Sequence, residues 1–135
     1  TTASPARQPS LSLDKPARAS SIWNAEYDAA KAFDGDASSR WGAAPDARSG
    51  WLEVDLGQET QIGGARIEEL GFHRIEEFAI EYQDGETWKE LVKGTTIAGE
   101  KSFEFPPVSA RRVRLNILKA NDVPTIEEFQ IFAPK

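Results

Sequence analysis

The sequence predicts an all-β fold, an antiparallel β-sandwich. Three observations point to it: apolar residues alternate with period two in several short runs, turn signals separate those runs, and only residues 25–33 have helical character. Leu11 and Leu13 flank Ser12 in a short alternating start. The run Trp51–Gly57 puts Leu52, Val54 and Leu56 on one face. Phe78, Ile80 and Tyr82 share the next face, and Asp84-Gly85 marks a hairpin turn into Thr87–Val92. Phe103 and Phe105 alternate around Glu104, and Pro106-Pro107 is expected to end that strand. Val113, Leu115 and Ile117 form another inward face, with Arg112, Arg114 and Asn116 opposite. In the last run Ile126 is out of phase with Phe129 and Ile131, so a bulge or bend is expected near Glu127. Carboxylate doublets such as Glu68-Glu69 and Glu127-Glu128 fall in strand-like runs, where one member of each is expected to face outward.

The bulk numbers narrow the partners. The 135 residues are enough for one domain with its own core, and four Trp, seven Phe and two Tyr can fill it. Net charge is −6 with no basic run, which argues against nucleic acid and disfavours an anionic membrane surface. Cysteine is absent, so there are no disulfides and no thiolate metal sites or nucleophiles. With one histidine there is no cluster for catalytic zinc, and no Ser/His/Asp spacing supports a nucleophile, so a binding module is expected rather than an enzyme. Residues 1–10, with two prolines and small polar residues, read as a flexible linker before a domain over 11–135. Such a linker is expected in a module of a longer, multidomain chain.

The densest chemistry lies in Ala32-Phe33-Asp34-Gly35-Asp36, followed by Ser39-Arg40-Trp41. Two carboxylates and a hydroxyl crowd a tight turn, and such oxygens repel unless a cation sits among them. Calcium suits this chemistry because it takes roughly 6–8 oxygen ligands, backbone carbonyls included. The same spacing also fits an Asx-type turn without an ion.

A sandwich presents its loops at two ends, where binding residues usually sit. Sugars are held by an aromatic face against the ring and by forked hydrogen bonds to neighbouring hydroxyls. The first loop supplies Trp23, Glu26 and Tyr27; the second, Gly42–Gly50, supplies Asp46 and Arg48; the third supplies His73 and Arg74. Lys119–Asp122 is expected to complete the rim. Trp23 and Tyr27 could equally pack as core, and Asp46 and Arg48 could form a surface pair that contributes little.

Five segments, in order, resemble the discoidin, or coagulation factor V/VIII type C, family: Ala17–Ser21, Lys31–Trp41, Gly50–Gly57, Ala110–Leu115 and Ile126–Phe132. The string Val123-Pro124-Thr125-Ile126-Glu127-Glu128-Phe129 looks especially like the C-terminal module of bacterial family 29 α-L-fucosidases. Carbohydrate-binding modules of families 32 and 47 share the architecture. The resemblance implies a galactose-binding-like jelly roll of about eight strands, a structural calcium ion and a sugar site on end loops. Carried over, Asp34 and Glu128 supply carboxylates to the calcium, Lys31 and Asp36 supply main-chain carbonyls, and Ser39 supplies its hydroxyl or carbonyl. Arg74 matches an arginine that touches sugar in family 32 modules. Many galactose binders carry a histidine just after the tryptophan matching Trp41, where this chain has Gly42-Ala43; the loop around His73 is also shorter. Both departures leave fucose, or a fucosylated or sulfated glycan, better placed than galactose.

The expected function is a non-catalytic module that targets an attached glycoside hydrolase to a fucose- or galactose-containing glycan. The isolated domain is expected to be a monomer, and its parent chain a secreted bacterial protein, extracellular or periplasmic. The alternative is a structural or protein-docking module of a multidomain enzyme, with no sugar of its own.

Overall fold

Among the described residues eight antiparallel strands form two sheets, in agreement with the alternation. They are β1 (Ala17–Ala19), β2 (Trp41–Gly42), β3 (Gly50–Glu68), β4 (Ile75–Asp84), β5 (Thr87–Gly94), β6 (Glu100–Ala120), β7 (Thr125–Ile126) and β8 (Glu128–Phe132). The computed structural model describes residues 10–36, 38–69, 73–97 and 99–134. The linker expected over 1–10 lies outside these, apart from Ser10. The larger sheet runs β1-β3-β6-β4-β5, with β8 added on β3, and β2 and β7 form a separate ribbon.

Two long bent strands organise the fold. The first half of β3 lies between β1 and the second half of β6; its second half lies between β8 and the first half of β6. Register slips between Asp55 and Thr60, and between Ile62 and Gly64, mark the bends. Each slip inserts unpaired residues into one strand and turns it, so one continuous sheet wraps around a core. Pro106-Pro107 therefore does not end a strand, contrary to the sequence expectation; β6 continues through it to Ala120. The ladder resumes at Val108 opposite Ile62, and both prolines fall in the slip, where no ladder N–H is required.

The alternating faces meet inside. Leu52, Val54, Phe78, Ile80, Val113, Leu115 and Ile117 are all buried, and Phe33 packs on Phe129 with ring centroids 5.8 Å apart. The phase break near Glu127 is a bend between β7 and β8, and it lets Ile126, Phe129 and Ile131 all point inward. The helical stretch is two short 3-10 turns, Ala25–Tyr27 and Ala29–Ala32.

Two local expectations are corrected. The Leu11–Leu13 strand is a turn with inverted phase: Ser12 is buried and Leu13 is exposed. The Ser12 hydroxyl donates to Phe129 O and accepts from Ile131 N, bonds that an apolar side chain could not make. Glu68 and Glu69 are both buried, although one was expected to face outward. Arg66 donates to Glu68, and the backbone N–H groups of Arg74 and Ile75 both donate to Glu69 Oε2 at 3.1 Å, while Glu69 Oε1 is buried with no hydrogen-bond partner among the described residues.

Gly94 gives a test of the β4–β5 packing. A Cβ there would lie 2.7 Å from the ring of Phe78, which is completely buried. Gly94→Ala is expected to cost roughly 1–3 kcal/mol in denaturant unfolding through overpacking. An unchanged midpoint would show that the ring can move aside.

Candidate functional site: a loop-end cleft and an oxygen-lined clasp

The cleft is built on the β2–β7 ribbon, in which Gly42 pairs with Thr125. Trp41 turns inward, completely buried, and its indole N–H donates to Ser21 O at 3.0 Å, which anchors the first loop. Trp23 N donates to Gly42 O at 2.7 Å, and the Asn24 side chain accepts from Glu26 N, capping the turn that carries Tyr27. Gly42 sits beneath both aromatics, since a Cβ there would touch Trp23 Cβ and Tyr27 Cβ at 3.6 Å. Anchored this way, Trp23 stays 48% exposed. Arg40 lies over the Tyr27 ring, 4.8 Å from its centroid. From the opposite side, Arg74 Nη1 donates to Val123 O at 3.0 Å and to Thr125 Oγ1 at 3.1 Å.

Together Trp23, Tyr27, Arg40, Gly42, Arg74, Val123 and Thr125 line a cleft of about 230 Å³. That is below the roughly 300–1,000 Å³ of sites for drug-sized ligands, and suits a single ring. Of the ligand-binding residues expected from sequence, Trp23, Tyr27 and Arg74 come together here. Glu26, Asp46, Arg48 and His73 are exposed and do not line the cleft. His73 and Asn121 are joined through the His73 carbonyl, which accepts from Asn121 Nδ2 at 3.2 Å, and Asn121 N donates to Arg74 O. The rim expected from Lys119–Asp122 thus reduces to Asn121 and Asp122; Lys119 belongs to β6. The Asp122 carboxyl is held below the usual range, first by the Val123 N–H and then by Arg74, with a smaller effect of Arg48. Gly71 and Phe72 of this third loop lie outside the described residues.

Sequence reasoning overlooked Arg40. In the sequence it reads only as part of the acidic motif, yet its neighbour Trp41 faces inward on a strand, which turns Arg40 outward toward the loop end.

The second feature gathers oxygen atoms. The Ser39 hydroxyl lies 2.5 Å from Asp34 Oδ2, 3.0 Å from Asp36 O and 3.4 Å from Lys31 O. The Asp36 carboxylate turns away from this group, accepting from Ser38 N and Ser38 Oγ. Glu128 arrives from β8, accepting from Gly35 N through Oε1 at 3.1 Å. Its Oε2 is buried with no hydrogen-bond partner among the described residues. Among the described residues no three acidic or histidine side chains converge, so the set comprises two carboxylates, one hydroxyl and carbonyls. An orphaned buried carboxylate oxygen beside other oxygens fits a hard divalent cation. Ala37, within this loop, lies outside the described residues.

Burial, and then the nearby Asp34 carboxylate, push the Glu128 carboxyl from its ordinary 4.5 up to about 8. The sign follows from proton binding. Between these values the folded chain holds a proton that the unfolded chain has released, so stability falls as pH rises. In chelator, the unfolding temperature is therefore expected to drop between pH 5 and pH 8 (about the window set by the two values), and calcium at pH 8 is expected to reverse it. A flat profile in chelator would contradict this reading of Glu128.

Fold and site define a β-sandwich module with an aromatic and cationic cleft at its loop end. The chain belongs to the F5/8 type C domain family, which it matches over residues 16–129. It is 33% identical over 98 residues to the Oryza sativa subsp. japonica protein named "Putative alpha-L-fucosidase 1", and that match takes in 70% of this chain but 19% of the rice protein. Among solved structures, it is similar to chitosan-binding module 1 of a Paenibacillus sp. IK-5 chitosanase/glucanase, with a TM-score of 0.85, 25% identity, and coverage of 93% of this chain and 100% of that one. It is also similar in fold to a Ruminococcus gnavus GH29 fucosidase in complex with fucose, with a TM-score of 0.84, 24% identity, and coverage of 94% of this chain and 27% of that one.

Proposed function

We propose that this chain is a non-catalytic carbohydrate-binding module that holds one sugar ring in the Trp23–Arg74 cleft and targets an attached glycoside hydrolase to its glycan. The observation that carries this reading is the convergence, in a ring-sized cleft, of a half-exposed Trp23, Tyr27 and two arginines. An aromatic face matches the apolar side of a pyranose, and planar guanidinium groups match its oxygens. Support comes from the family and from neighbours whose names place similar domains in chitosan binding and in fucosidases. The attached enzyme is inferred from the small share of the rice protein and the bacterial fucosidase that this chain spans. Fucose or a fucosylated glycan follows from the fucosidase likeness. Binding of the isolated chain to a glycan array tests the proposal. Retention on fucose- or galactose-containing glycans is the expected result, and no retention on any glycan would favour the docking-module alternative.

Calcium belongs to the same proposal as a structural clasp. Asp34, Ser39, Glu128 and the carbonyls of Lys31 and Asp36 would hold it, and when bound it would neutralise the paired carboxylates. The ion would tie the loop before β2 to β8, and so stabilise the native state alone.

A further inference from the structure

We propose that the cleft selects an acidic sugar, one bearing a carboxylate or a sulfate ester, with Arg40 and Arg74 as its anion clamp. This rests on the sugar-binding reading above and narrows its ligand class.

Among the described residues the charged lining of the cleft is Arg40 and Arg74, with no carboxylate in the wall. The composition makes this unexpected, because the chain carries a net charge of −6. Both cations are held in place. Arg40 is stacked over Tyr27, and Arg74 is fixed through Nη1 to Val123 O and Thr125 Oγ1. A positioned guanidinium loses little freedom on binding, and its bonds to an anion are roughly twice as strong as neutral ones. Arginine donates and never accepts, so these two side chains offer a ligand donors and positive charge. Two acids flank Arg74 without being among the lining residues. Asp122 lies on the rim, 3.8 Å from Arg74 Nη2 and half-exposed. Glu69 lies behind the loop, fully buried, with Oε2 on the backbone of Arg74 and Ile75. Trp23 and Tyr27 recognise the ring, then, and the arginines recognise its charge. A protonated amino sugar is repelled.

The test uses matched polymers in affinity electrophoresis: polygalacturonate against its methyl ester, a sulfated fucan against its desulfated product, and chitosan as the cationic polymer. At about 0.05 M salt, the acidic member of at least one pair is expected to bind at least tenfold more tightly than its neutral partner, and the advantage should shrink at about 1 M salt. The pair that responds tells carboxylate from sulfate. Arg40→Gln is expected to remove the advantage with an unchanged unfolding temperature, and Arg40→Lys to keep part of it. Arg111→Gln, which removes a cation paired with Asp55 away from the cleft, should leave it intact. Equal or tighter binding of the neutral partners, binding of chitosan, or an advantage that survives Arg40→Gln would overturn the acidic class and leave the sugar site standing. No binding to any of these polymers would overturn the acidic class, and retention or its absence on the glycan array decides the sugar site separately.

Discussion

In calcium at about a hundred times its dissociation constant, Asp34→Asn is expected to unfold roughly 10 °C below the native chain. The figure follows from a ligand stabilisation of about 2.7 kcal/mol and a few degrees per kcal/mol for a domain of this size. In chelator at about pH 9, above the Glu128 value of about 8, the order should reverse, with the variant at least as stable as the native chain. There the substitution removes one of two negative charges that face each other without a cation, Asp34 and Glu128. Asparagine retains an oxygen to accept from Asp36 N, as Asp34 Oδ1 does at 3.0 Å, so the turn itself is preserved. A loss of stability equal in both media would mean that Asp34 serves the turn alone, and the clasp would have to be abandoned.

The second large effect is expected at Trp23. Truncation to alanine should weaken glycan binding at least tenfold, or about 1.4 kcal/mol. Its unfolding temperature should barely change, because the side chain is 48% exposed and its backbone bond to Gly42 O remains. Arg74→Ala is a poorer probe. From the sequence, Arg74 reads as a surface arginine whose loss would affect binding only. In the structure its guanidinium satisfies Val123 O and the buried Thr125 hydroxyl, so its removal should also cost roughly 1–3 kcal/mol of stability. Undiminished affinity in Trp23→Ala would move the ligand elsewhere, with the half-buried Trp51 and Trp88 of the open sheet face as the next candidates.

Much of the fold was legible because period-two alternation is a direct record of which face meets the core. Leu52, Val54, Val113 and Leu115 declare themselves in this way. The failures fall where backbone requirements override side-chain pattern. Pro106-Pro107 reads as a stop, yet at a register slip a missing N–H costs nothing. Ser12 and one member of the Glu68-Glu69 doublet read as outward-facing, and their burial depends on partners the alternation does not show: Phe129 and Ile131 for Ser12, Arg66 and the turn at Arg74 for the glutamates. The site was half legible for a related reason. Trp23, Tyr27 and Arg74 stand out by chemistry on loops, whereas Arg40 enters the cleft only because Trp41 beside it is drawn inside. Local sequence does not say which of two neighbouring loops faces the other, so Asp46, Arg48 and His73 could not be separated from the lining residues in advance.

The central claim is that a sugar ring sits against Trp23. The most direct measurement follows the four tryptophan indole N–H resonances of the calcium-loaded chain while a bound glycan is titrated in. The account predicts that the Trp23 signal shifts with saturation, while those of Trp51 and Trp88, out on the sheet, and of the enclosed Trp41 stay in place. A titration that moved Trp51 or Trp88 and left Trp23 unmoved would contradict it.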